Sequence, residues 1–203
     1  PSTKLVNTTA AVADRYIQVQ DAVTHSHGPG GEHAHTATAF TTWLDPQMAI
    51  AQAEAIEQAL TRLRPQHEES FQANLAAFRA DLNALDQQLS EVVKNNSDRA
   101  LFFSHPVYQY LQRRYGLNAQ SVHWEPEEVP AEKMWEELAS KLEQHPAKWM
   151  VWEGEPNSEN VARLSSLGLQ STVFDPCGKV PEQGDFLEVM GQNIGNLRQA
   201  LAE

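Results

Sequence analysis

The strongest periodic signal in the chain is an apolar stripe. Phe71, Leu75, Phe78, Leu82, Leu85, Leu89 and Val92 recur at alternating spacings of 4 and 3. Because an α-helix completes a turn every 3.6 residues, that spacing keeps all seven side chains on one face. It predicts a helix from Pro65 to Val93, roughly 43 Å long at 1.5 Å per residue. Such a rod can join two parts of a molecule or pack along a neighbouring helix in coiled-coil fashion. A shorter helix precedes it. Asp45-Pro46 reads as an N-cap followed by a first-turn proline, and the helix it opens runs to about Arg64.

Beyond Asn95-Asn96 the pattern changes to strands alternating with helices. Ala100–Ser104, Gln120–Trp124, Trp149–Trp152 and Ser171–Phe174 read as strands. Between and after them, Val107–Tyr115, Pro130–Gln144, Ser158–Leu167 and a last helix capped by Asp185 and ending near Leu201 read as helices. Gly116 and Gly168 stand where helix C-termini need a left-handed residue. Four strands, each followed by a helix, predict a parallel sheet covered on both faces. The expected class is therefore α/β, with a C-terminal four-stranded lobe flanked by helices. Ahead of all this, Lys4–Thr9 alternates weakly and is expected as a short strand. Residues 10–42 are poorly periodic.

Composition narrows the function classes. The 203 residues suit one large domain or two small ones, and 41% hydrophobic content supplies a sizeable core. A formal net charge of −12 argues against nucleic acid and against anionic membrane surfaces, both of which select Lys/Arg patches. No apolar run approaches the length of a membrane span. The lone Cys177 rules out an internal disulfide and a thiolate zinc site. There is no initiator methionine and no signal peptide, and Pro1-Ser2-Thr3 reads as the start of a processed or truncated chain.

One segment points to a transition metal. His25, His27, His33 and His35 fall within HSHGPGGEHAH, as two H-x-H pairs around a Gly-Pro-Gly-Gly hinge. Imidazole is the commonest protein ligand for such ions, and so glycine-rich a run cannot pack as a core. The residues just past the four strands add further donors: His105, Glu125, Glu153 with Glu155, and Asp175. Ligands bind outside the carboxyl ends of the strands in open α/β sheets, so these donors should share one edge. His105 and Asp175 rank highest. Glu125, Glu127 and Glu128 read as a solvated acidic run, His123 as structural, and His67 and His145 as solvated helix-end residues. No G-x-S-x-G, P-loop, G-x-G-x-x-G or H-E-x-x-H motif occurs, so binding has more support than catalysis.

At this point the residues resemble a known family. FFSHPVYQYLQRRYGL is similar to the S-H-x-x-x-x-Y-L-x-x-x-Y-G-L segment of the zinc/manganese-type periplasmic solute-binding proteins, the metal-capturing components of ABC importers. TTWLDPQMAIAQAEAI resembles that family's W-L-D-P segment, VFDPCG its strand-end aspartate segment, and DFLEVMGQNIGNLRQAL its C-terminal helix. A histidine-rich loop before W-L-D-P is a feature of the zinc-specific members. The resemblance implies two α/β lobes bridged by one long helix, with metal held between them. Residues 1–45 are then the remnant of an N-terminal lobe with the histidine loop at 25–35, 46–95 a helical segment containing the bridge, and 96–203 the C-terminal lobe. About a hundred residues of a full-length relative, and its first histidine ligand, have no counterpart here. The family also places a histidine two positions before the tryptophan of W-L-D-P, where this chain has Thr41.

Carried over residue by residue, the resemblance leaves His105 and Asp175 as metal ligands. His33 or His35 is expected to fold in for the missing side chain, and His25 and His27 to recruit metal. The implied function is extracytoplasmic capture of a divalent transition metal, zinc above manganese, for delivery to an ABC permease. Two alternatives stay open: a histidine-rich metal buffer on a degenerate scaffold, and a metal-independent interaction or adhesion module using the long helix.

Overall fold

The computed structural model of the chain describes residues 5–19, 37–181 and 183–202. A 3-10 turn at Ala10–Arg15 leads into β1 (Gln18–Val19), which pairs antiparallel with β2 (Ala37–Thr38). The strand expected at Lys4–Thr9 is absent from its described part. Leu5 and Val6 are exposed, and with nothing to cover its apolar side the alternation has no sheet face to bury.

Helix α1 spans Pro46–Leu63, and the Asp45 carboxylate accepts the Gln47 N–H at 3.0 Å, as the capping signal predicts. The long helix begins slightly later than its stripe suggests. Pro65–His67 forms a separate 3-10 turn, and α2 runs Glu68–Val93, 26 residues or about 39 Å. Glu68 and Glu69 in its first turn complement the positive end of the helix dipole. Leu82, Leu85, Leu89 and Val92 are buried, whereas Phe71, Leu75 and Phe78 are only half-buried against α1.

The sheet follows: β3 (Leu101–Phe103), α3 (Gln109–Tyr115), β4 (Ala119–Ser121), α4 (Glu132–Gln144), β5 (Trp149–Trp152), α5 (Ser158–Ser166), β6 (Gln170–Val173) and α6 (Phe186–Ala202). All neighbours are parallel and the order is β4-β3-β5-β6. Side chains alternate between the two faces, as a pleated strand requires. Leu101, Phe103, Trp149 and Val151 pack with the buried half of α2 and with Ile194, Leu197 and Leu201 of α6. Phe102, Met150 and Trp152 pack on the other face with Trp135 and Leu138 of α4 and Leu164 of α5. This is the expected α/β lobe, covered on both faces.

One histidine is misplaced by its sequence position. His145 follows α4 directly, yet it is buried, with Nε2 at 2.9 Å from the Leu101 carbonyl and its ring edge-on to Phe102. Imidazole has a largely apolar body, so a chain reversal over the sheet pulled it inward instead of leaving it in solvent. No helix among the described residues is long and apolar enough to cross a membrane.

Candidate metal centre

Each parallel strand delivers its next residues to the same carboxyl edge, and the strand order decides which of them meet. His105 follows β3, Glu125 follows the extension of β4, Glu153 follows β5 directly, and Asp175 follows β6. Because β3 lies between β4 and β5, His105 is flanked by Glu125 and Glu153. One ligating atom from each of these three lies within 4.8 Å of the others. Asp175 is one strand further from β3 and falls outside this group. Glu125, Glu153 and Asp175 nevertheless line one cleft of 570 Å³, together with Thr41.

The Asp175 corner is held by side chains from three directions. The Trp43 indole Nε1 donates to the Pro176 carbonyl at 2.7 Å, which ties the W-L-D-P segment to the strand-end aspartate segment. The Tyr108 hydroxyl donates to the Phe174 carbonyl at 2.7 Å. Asn193 of α6, itself buried, bonds both backbone polar groups of Asp175. One Asp175 carboxylate oxygen accepts the Cys177 N–H at 2.7 Å, an Asx-type turn.

Charge is crowded in the cleft. Burial pushes the Glu153 carboxyl above its usual range. His105 opposes that rise, while the negative charges of Glu125, Glu127 and Asp175 add to it. His105 Nδ1 is 3.6 Å from a Glu125 carboxylate oxygen, is closed off from solvent, and has no hydrogen-bond partner among the described residues.

Several sequence expectations are settled by position. Glu125 is exposed, as a solvated charge should be, and it also stands in the His105 group, where the strand-end rule puts it. The same rule puts Glu153 there. His123 is exposed, not in the core, with its ring 5.6 Å from that of His105. Thr41 is buried and its hydroxyl donates to the Val107 carbonyl at 2.5 Å, so it offers the cleft no spare donor of histidine's kind. His25, His27, His33 and His35 lie outside the described residues.

Known proteins share both sequence and shape with this chain. The zinc-binding protein AdcA of Streptococcus pyogenes serotype M6 is 26% identical over 183 residues, covering 86% of this chain and 35% of the relative. The chain thus spans about a third of the length of the curated relatives it matches. The Zn(II)-bound ZnuA-like domain of Streptococcus pneumoniae AdcA superposes with a TM-score of 0.77 at 21% identity, covering 98% of this chain and 70% of that one. The metal-dependent lipoprotein YcdH of Bacillus subtilis superposes at 0.80 and 19% identity, with the same coverages of 98% and 70%. The profile of the periplasmic zinc-uptake complex component A, ZnuA, matches residues 2–200. By that match the chain belongs to the ZnuA family, whose members are substrate-binding proteins and not enzymes.

Proposed function

We propose that this chain captures a divalent transition metal, zinc foremost, on the extracytoplasmic side and presents it to an ABC permease. The observation that carries the reading is His105. It stands at the carboxyl edge of the inner strand β3, beside carboxylates and within the residues that match the family. The zinc-binding relatives support the choice of metal. In this reading residues 96–203 are the metal-bearing lobe, 46–95 the helical segment that bridges to a second lobe, and 1–45 part of that second lobe. His105 and Asp175 supply donors from the strand ends, and the 25–35 histidines bring metal to the cleft.

Neutral imidazole and ionised carboxylate are the binding forms, so affinity falls as pH drops below about 6. Calorimetric titration of Zn²⁺ into the chain tests the reading, with His105→Ala and a 25–35 deletion alongside. Submicromolar binding that weakens at least tenfold in His105→Ala supports capture at the strand-end site. Binding that vanishes only with the loop leaves a histidine-rich buffer on a degenerate scaffold, and the transport reading falls.

A further inference from the structure

We propose that Glu125 and Glu153 are themselves metal ligands. With His105 they form a one-imidazole, two-carboxylate centre for a divalent cation. This rests on the metal-capture reading above and names the donors that make up for Thr41.

Distance is the first argument. Donors bound to one tetrahedral zinc ion at about 2.1 Å lie about 3.4 Å apart. The three ligating atoms are already within 4.8 Å of one another, so they need to close by at most about 1.4 Å. Side-chain rotation alone covers that.

Electrostatics is the second. A neutral imidazole and two carboxylates carry a charge of −2, which one divalent ion cancels. Without the ion, the half-buried Glu153 and the exposed Glu125 hold two like charges close together, an arrangement that costs energy.

Preorganisation is the third, and it separates Glu125 from an ordinary surface charge. The Trp124 N–H donates to the Ser104 carbonyl at 2.8 Å, locking the residue before Glu125 to the residue before His105. The Pro126 carbonyl accepts the Asn157 N–H at 2.8 Å. The Glu128 carbonyl accepts Asn160 Nδ2, also at 2.8 Å, and Asn160 is fully buried. The acidic loop is therefore fastened to β3 on one side and to α5 on the other.

His105 supplies an independent indication. Its Nδ1, shut off from solvent, has no hydrogen-bond partner among the described residues. A polar atom left in that state is costly unless something outside the protein completes it. Three protein donors leave the fourth position of a tetrahedral ion open toward the cleft. Carboxylates without a thiolate suit Mn²⁺ as well as Zn²⁺, so this donor set accepts both.

The test is calorimetry of Zn²⁺ and of Mn²⁺ with the full chain, Glu125→Gln, Glu153→Gln and the double variant, each first checked for folding by circular dichroism. Gln keeps the shape and removes the charge. Each single substitution is expected to weaken Zn²⁺ binding at least tenfold, and the double variant is expected to lose Mn²⁺ binding. Should both single variants stay within twofold of the parent while His105→Ala loses affinity, the carboxylate assignment is overturned and the capture reading survives. No Zn²⁺ binding by the parent chain, or binding lost only with residues 25–35, overturns both.

Discussion

Asn193 grips Asp175 by both of its backbone polar groups. Its Oδ1 accepts the Asp175 N–H at 2.9 Å and its Nδ2 donates to the Asp175 carbonyl at 2.7 Å. The asparagine is buried in the middle of α6, so the last helix fixes where the β6 strand end enters the cleft. Asn193→Ala removes both bonds and leaves the part-buried N–H and C=O of Asp175 without them. A loss of roughly 2–3 kcal/mol is expected from two such bonds, read as a lower urea midpoint.

A second polar hub ties α2 to α1 and α3. Asp86 of α2 accepts hydrogen bonds from Arg114 Nε at 2.8 Å, Tyr115 Oη at 2.8 Å and Gln47 Nε2 at 3.0 Å. Burial pushes its carboxyl up. The hydrogen bonds of Arg114 and Tyr115 and the Arg114 charge outweigh that and hold it below the usual carboxylate range. A depressed folded pKa means stability that is present above the unfolded value, near 3.9, and lost as pH falls through the folded value. Asp86→Asn is therefore expected to cost about 2 kcal/mol at pH 7. The gap to the parent chain should narrow steadily below about pH 4 in denaturant titrations.

The apolar stripe of α2 is unequal along its length. Leu82 is buried under the sheet and α6, whereas Leu75 lines an open groove of 240 Å³ with Ile56 and Leu60 of α1. Leu82→Ala is expected to cost about 3–4 kcal/mol, the range of a core cavity, and Leu75→Ala less than half as much. Equal losses in urea unfolding would mean that the groove is covered in solution.

Thr41, the position at which the family resemblance leads one to expect a histidine, lines the cleft that holds Glu125, Glu153 and Asp175. Thr41→His adds an imidazole there at the cost of the Val107 hydrogen bond and some overpacking, about 1–3 kcal/mol. Zn²⁺ affinity is expected to rise at least tenfold by calorimetry while the thermal midpoint falls. Unchanged affinity in a folded variant would place the bound metal away from that wall.

Much of this protein was legible in its sequence, because helical stripes, capping residues and strand alternation are local patterns. The residues of α1, the C-terminal end of α2, the β5 strand and the Gly116 helix stop (φ +67°) follow from spacing and backbone preference alone. So do the donors, since every strand of a parallel sheet ends on the same edge. What the local pattern could not carry was adjacency. Only the order β4-β3-β5-β6 sets Glu125 and Glu153 beside His105 and leaves Asp175 one strand further out, at a spacing of about 4.8 Å per strand. The inward turn of His145 and the unequal burial of the α2 stripe were likewise decided by what folded against them. Residues far apart in the chain met there, and no spacing within either segment records the meeting.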